Sequence, residues 1–255
     1  MFEIIICIIA GLGAGFGTGF AGMSAAAVIS PLLITFLHMD PYLAVAIALA
    51  SDVLASAASA ITYGKNKNLD IKNGIIMMIS VLCFTMAGSY IASIVPKTTM
   101  GNFSVFMTLL LGIKFIVKPV TEPKQRLLAA TAKQKAIRSV ACGAAVGFIC
   151  GFVGAGGGMM MLLVLTSVLG YELKTAVGTS VFIMSATALT GSVSHFVIGG
   201  MPDIKALVIC VVSTLVFAQI ASLLANKLPA KTLNRITGAI LVVLGIAVLG
   251  VNYLA

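Results

Sequence analysis

The sequence predicts an all-α integral membrane protein, an inverted repeat of five plus five hydrophobic segments, each half opening with a glycine-rich broken or re-entrant hairpin. Three observations predict it. The first is composition: of 255 residues, 60% are hydrophobic and only 9% charged, and the mean hydropathy is +1.15. A soluble domain carries about 25% charged residues, so this chain cannot cover a water-facing surface. Its apolar runs are long and continuous, as helices crossing a bilayer require, rather than alternating as barrel strands are. The second is an internal duplication. Residues 11–31 read GLGAGFGTGFAGMSAAAVISP and residues 143–163 read GAAVGFICGFVGAGGGMMMLL. With a shift of 132, Gly11, Gly15, Phe16, Gly19, Phe20 and Gly22 fall on Gly143, Gly147, Phe148, Gly151, Phe152 and Gly154 without a gap. The third is the charge pattern, since the basic residues stand in short gaps between apolar runs.

The segments follow in order. The first apolar leg covers residues 2–21, with glycine at every fourth position. That period lays a flat stripe on one helix face and lets a second backbone approach closely. The leg runs into Gly22-Met23-Ser24-Ala25, where a helix should break, because glycine costs about 1 kcal/mol against alanine in a helix interior. A second leg, residues 25–37, rises only about 20 Å against a hydrocarbon core of about 30 Å. Spans at 41–63, 74–95 and 102–117 complete the first half. After the polar stretch 118–138 the order repeats, with legs at 139–153 and 158–169 around Gly154-Ala155-Gly156-Gly157-Gly158, then spans at 173–198, 204–225 and 233–254. Asp70-Ile71-Lys72 echoes Asp203-Ile204-Lys205, so the duplication extends past the hairpins. The division is therefore a first membrane repeat at 1–117, a basic cytoplasmic linker at 118–138 and a second, inverted repeat at 139–255.

Charge sets the orientation. If the linker is cytoplasmic, all sixteen Lys and Arg residues lie inside except Lys97, Lys205 and Lys114. Lys114 is close enough to a helix end to snorkel. The positive-inside rule then puts both termini outside a plasma-membrane protein. A hairpin plus three crossings is an odd number, so the two halves must be inverted and their glycine-rich apices meet near the midplane. The net charge of +9 therefore reads as an orientation signal and not as a nucleic-acid surface. Cys7, Cys83, Cys142, Cys150 and Cys210 all lie in apolar runs without a CxxC pair, which reads as packing rather than metal or disulfide chemistry. Glu3 stands where a cleavable signal would place a basic residue.

On these residues the chain resembles the TauE/SafE family of sulfite exporter-like permeases. Gly147-Phe148, Gly151-Phe152-Val153-Gly154-Ala155-Gly156-Gly157-Gly158 and Ala176-Val177-Gly178-Thr179-Ser180 carry the resemblance. The first half keeps Gly22 and Pro31 but has Ser24, Ala25 and Ala26 in place of the triple glycine, and the second half has Leu163 in place of the proline. The resemblance implies transport of small sulfur-containing anions such as sulfite, thiosulfate or organosulfonates.

The residues themselves point to an anion site. A broken helix exposes N–H groups at the start of its following segment, where the dipole is worth about half a positive charge. Gly22, Met23, Ser24 and Ala25 in the first half, and Gly154, Gly156, Gly157 and Gly158 in the second, are the candidate binding residues, with Thr179 and Ser180 within reach. The alternative for each glycine is close packing and a tight turn. Asp52 lies near the middle of its span with Ser56 and Ser59 on the same face, and its approximate mirror is Ser185. An intramembrane acid is functional by default. Asp52 is the candidate proton carrier, protonated for part of the cycle, against a structural hydrogen-bond anchor. Gln219 reads as a tie between helices and His195 as an interfacial residue. No metal or cofactor is implied. The partners are the lipid bilayer, a small anion and protons as coupling ion. Two rival readings stand beside a carrier: an anion-selective channel of the same architecture, and an intramembrane serine hydrolase using Ser24 and His195.

Overall fold

The computed structural model describes residues 1–93, 109–110, 112–119, 131–153 and 157–254. Every regular element among them is helical. α1 spans Phe2–Ala21 and stops at Gly22, whose left-handed φ of 59° suits a residue without a Cβ. α2 spans only Ala26–Leu37; its 12 residues rise about 18 Å, too short to cross a bilayer. α3 (Pro41–Lys65) and α4 (Ile71–Ser93) follow. In the second half come α5 (Ala132–Val153) and α6 (Gly157–Leu163), which widens into a π-helical stretch Val164–Leu169 ending at Gly170. α7 (Leu173–Gly199), α8 (Ile204–Lys227) and α9 (Ala230–Leu254) complete the chain, and residues 112–117 are helical. Among the described residues, five helices are long and apolar enough to span a membrane, so the protein is an all-α, multi-pass membrane protein.

One boundary differs from the sequence reading. The polar stretch 118–138 does not stay outside the helices: α5 begins at Ala132. Its start is a reciprocal cap in which Gln134 N donates to Thr131 Oγ1 at 3.3 Å and Thr131 N donates to Gln134 Oε1 at 3.1 Å. Residues 120–130 of that stretch, Lys97, and the predicted span ends at 94–95 and 102–108 lie outside the described residues.

Glycine decides which helices meet. A Cβ on Gly15 would lie 2.7 Å from Phe217 Cβ and 2.8 Å from Ala218 N, and one on Gly19 would lie 2.5 Å from Ala221 Cβ. With Gly11 set against Ser213, the stripe presses α1 onto α8, and the contacts climb both helices together, so the two run parallel from a shared starting side. The counterpart stripe presses α5 onto α4: a Cβ on Gly143 would lie 2.8 Å from Met77 O, and Gly147 sits on the backbone of Val81. Those two helices also run parallel. α3 packs antiparallel on α7, where Gly191 meets Leu49 and Gly178 meets Tyr63, and it packs on α8 as well. Asn68, in the loop between α3 and α4, donates to Asn226 Oδ1 at 2.7 Å at the far end of α8. Asp70 and Asp203, the echoed pair, both cap helix starts: Asp70 Oδ1 accepts from Asn73 N at 3.1 Å and Asp203 Oδ1 from Lys205 N at 2.8 Å.

Candidate functional site at the helix breaks

The break after α1 frees carbonyls on one side and N–H groups on the other, in a region with no bulk water to receive them. Hydroxyls from neighbouring helices take the carbonyls. Tyr63 on α3 donates to Gly19 O at 2.8 Å, Thr237 on α9 to Phe20 O at 3.1 Å, and Ser180 on α7 to Gly22 O at 3.1 Å. Thr18 turns back to Met23 O at 2.9 Å. Three different helices are thereby tied to the end of α1.

On the other side of the break the N–H groups meet a carboxylate from the protein itself. Asp52 is fully buried. Its Oδ2 accepts from Ser24 Oγ at 2.9 Å and from Ala25 N at 3.2 Å, and its Oδ1 accepts from Ser56 Oγ at 2.6 Å. Ser24 Oγ also accepts from Ala26 N at 3.3 Å. Asp52 therefore stands at the N-terminus of α2, where the helix dipole favours negative charge. Ser24 and Ala25, expected from the sequence as donors to a substrate, are engaged by the carboxyl group of Asp52.

The two glycine-rich stretches touch. A Cβ on Gly158, in the first turn of α6, would lie 2.6 Å from Gly22 O, 2.7 Å from Ser24 N and 2.8 Å from Met184 Sδ. Gly22, Ser24, Ala25, Gly158 and Ser180 are thus gathered in one place with Asp52, and Met23 is buried beside them against Gly17. Gly157 opens α6. Gly154 and Gly156 lie outside the described residues.

Thr179 is not gathered there. It is buried on the adjacent side of α7, where its Oγ1 accepts from Asp70 N at 3.2 Å. Asp70 Oδ2 also accepts from Tyr171 at 2.7 Å, and burial first, then that carboxylate, pushes the Tyr171 hydroxyl well above the ordinary tyrosine range. This cluster lies at the loop end of α4 and braces the fold there. Ser185, the mirror of Asp52, is turned to its own helix, donating to Phe182 O at 2.8 Å. Gln219 does tie helices, its Nε2 donating to Thr62 Oγ1 on α3 at 2.9 Å. Lys114 donates to Ser167 in the π-helical stretch instead of simply reaching for the interface. His195 bonds Gly191 O at 2.9 Å near the end of α7, roughly 22 Å of helix rise from Ser180. Ser24 and His195 are not assembled as a nucleophile and base.

The sequence reading missed Tyr63 and Thr237. Tyr63 carries a readable signal, since it continues the face of Asp52, Ser56 and Ser59. Thr237 carries none, because its partner lies far away in the chain.

Comparison with known proteins finds relatives along most of the chain. Residues 7–248 match the family model described as Sulfite exporter TauE/SafE. The chain is 26% identical over 263 residues to the "Probable membrane transporter protein YunE" of Bacillus subtilis (strain 168), covering 95% of this chain and 96% of that protein. It is 22% identical over 216 residues to the "Probable membrane transporter protein YdhB" of the same organism, covering 85% and 88%.

Proposed function

The chain belongs to the sulfite exporter TauE/SafE family, and from that premise we propose that it carries a small sulfur-containing anion, such as sulfite, thiosulfate or an organosulfonate, by alternating access around the two helix breaks. That it is a membrane transporter follows from the family and its relatives. The observation that carries the finer reading is the contact of Gly158 with Gly22 O and Ser24 N. A carrier needs one site that both halves share. Backbone contact at that depth also favours a carrier over an open anion channel.

The inverted repeat is supported by the packing. α1 lies on α8 and its counterpart α5 lies on α4, while α3 lies on its own counterpart α7, which is the exchange that a two-fold between the halves requires. On this reading 1–117 and 139–255 are the repeats and the basic linker is cytoplasmic. Both termini are then outside the plasma membrane. Cysteine introduced at Met201, which is 89% exposed, should react with an impermeant reagent from outside, and one at Gln134 should not; the reverse pattern overturns the orientation.

The substrate oxyanion is assigned to the bare backbone of Gly154, Gly156, Gly157 and Gly158, where glycine lets it approach closely. Gly22, Met23, Ser24, Ala25 and Ser180 form the facing wall, and Thr179 acts only through the loop it braces. Asp52 then has a defined role. Two unit charges about 4 Å apart repel by about 4 kcal/mol at an effective dielectric constant of 20, so an arriving anion and a charged Asp52 oppose each other. Protonating Asp52 removes the repulsion and releases Ser24 and Ala25 as donors. Outward movement of one negative charge is already downhill by about 2.3 kcal/mol per 100 mV, whereas accumulation needs the proton.

A thermal-shift screen of the purified protein against sulfite, thiosulfate, sulfoacetate, taurine and sulfate tests this. A true substrate at 100 times its Kd adds about 2.7 kcal/mol, and Gly157→Leu should abolish that gain. Stabilisation by none of these anions, or an undiminished gain in Gly157→Leu, overturns the reading.

A further inference from the structure

An α-helix turns about 100° per residue, so Asp52, Ser56, Ser59 and Tyr63 fall within a sector of about 60° on α3. All four are fully buried. The next residue on that face is Asn66, which is exposed at the linker side. In the opposite direction the same face continues through Ala48, Val45 and Pro41, with no polar side chain. The polar column therefore leaves Asp52 in one direction only.

Ser59 is the exceptional member. A serine inside a membrane helix ordinarily bonds the carbonyl one turn earlier, as Ser51 does to Ile47 O at 2.8 Å and Thr62 to Ala58 O at 3.1 Å on this helix. Ser59 Oγ is buried and has no partner among the described residues. An unsatisfied buried hydroxyl costs about 1–3 kcal/mol. The position lies between Ser56, already bonded to Asp52, and Tyr63, bonded to the end of α1. A hydroxyl left free there at that cost serves transfer better than stability.

We propose that Ser56 and Ser59 are the proton relay joining Asp52 to the linker side of the membrane, the cytoplasm in the orientation given above. This rests on Asp52 being the coupling carboxylate. The proton leaving Asp52 adds to Ser56 Oγ as the proton already on Ser56 passes to Ser59 Oγ and the proton already on Ser59 passes to a water entering from the linker side, so each hydroxyl again holds one proton, and rotation of the hydroxyls resets the pair. Tyr63 closes the linker end while its hydroxyl is held on Gly19 O. No other titrating group intrudes at this depth among the described residues. α2 carries none, α1 has Glu3 and Cys7 near its start, and α7 has Lys174 at one end and His195 near the other. α8 has Lys205 and Cys210 near its start and Lys227 at its end.

Hydrogen–deuterium exchange of the Asp52 carboxyl, followed by infrared spectroscopy of the reconstituted full chain, tests the relay, with the band assigned by its loss in Asp52→Asn. Ser59→Val should slow the exchange by about 100-fold, and Ser59→Thr should restore it. Ser59→Ala, which adds no bulk, is the second variant should valine disturb folding. Ser30 on α2 is another buried and unpartnered hydroxyl, on the termini side of Ser24, and Ser30→Val should leave the rate unchanged. Exchange at the parent rate in both Ser59→Val and Ser59→Ala overturns the relay while leaving Asp52 as the coupling group. Slowing by Ser30→Val instead puts the route on the other side. A spectrum unchanged in Asp52→Asn removes both the coupling role and the relay.

Discussion

The two helix breaks lie in stretches of similar sequence, yet their residues differ in what they offer to freed backbone groups. The first is rich in side-chain partners. Tyr63, Thr237 and Ser180 take the carbonyls of Gly19, Phe20 and Gly22, and Asp52 takes the N–H of Ala25 and the hydroxyl of Ser24. The second carries Gly-Ala-Gly-Gly-Gly across residues 154–158, with no side chain able to donate or accept, and the residue mirroring Asp52 is Ser185, bonded to its own helix. Duplication supplies two dipole ends. With Ser24, Ala25 and Ala26 in place of the triple glycine, and Asp52 bonded to Ser24 and Ala25, one end is engaged by the protein's own carboxyl, while the other keeps bare glycine in its sequence. The contact through Gly158 couples the two.

The largest effect should come from separating them. At Gly158 even alanine places a Cβ 2.6 Å from one backbone atom and 2.7 Å from another, and backbone cannot swing aside as a side chain does. Gly158→Ala should cost about 3 kcal/mol, the upper range for overpacking, and Gly158→Leu should leave little folded protein. Chemical unfolding in detergent micelles measures both. A stable Gly158→Ala that still binds substrate breaks the claim that the apices must touch. Gly15→Leu, in the packing stripe, should cost as much stability without specific loss of binding in whatever protein folds, because the atoms nearest its Cβ belong to α8.

The next contrast is between mirror residues. Asp52→Ala leaves the Ala25 N–H without its acceptor, while the Ser24 and Ser56 hydroxyls can turn to nearby carbonyls, so the variant should cost about 1–3 kcal/mol, the penalty for one unsatisfied buried group. Ser185→Ala removes a hydroxyl bonded only within its own turn and should stay within about 0.5 kcal/mol. Equal costs at the two sites would show that the first break does not depend on its carboxylate. Asp52→Asn keeps an acceptor for Ser24 and Ala25 but cannot carry a proton. In proteoliposomes it should abolish pH-driven accumulation of the anion while sparing exchange across equal pH. Accumulation in Asp52→Asn equal to that of the parent reduces Asp52 to a helix cap.

Much of this was legible in the sequence, for particular reasons. The glycine stripe could be read because a period of four has one physical use on a membrane helix, and it lies against α8 as that use demands. The face holding Asp52, Ser56 and Ser59 follows from helical period alone. The start of α5 is legible in Thr131-Ala132-Lys133-Gln134, a capping box, whereas hydropathy alone rises only several residues later. What Asp52 touches was not legible, because Ser24 comes near only through the packing of α2 on α3. Thr179 and Ser180 could not be told apart either. They are neighbours about 100° apart on α7, one turned to Asp70 and the other to Gly22, and only the rotation of that helix in the bundle decides which faces the site.

The smallest expected effects test whether the first break is held by its hydroxyls singly or together. Ser180→Ala, Thr237→Ala and Tyr63→Phe each remove one donor from one carbonyl near the end of α1. A neutral hydrogen bond is worth about 1 kcal/mol net, so each single variant should lose about that much. The carbonyls belong to Gly22, Phe20 and Gly19, within one turn of chain, and the donors come from three separate helices. Loosening one therefore frees the segment that the others hold. Groups sharing one element couple by 0.5 kcal/mol or more, whereas distant sites add to within about 0.3–0.5 kcal/mol. The double variant Ser180→Ala with Thr237→Ala should accordingly cost about 0.5–1 kcal/mol less than the sum of the two, because the second donor has less to hold once the first is gone. Strict additivity in that cycle would mean that α1 ends where it does without their joint help, and that Gly22 alone sets the break.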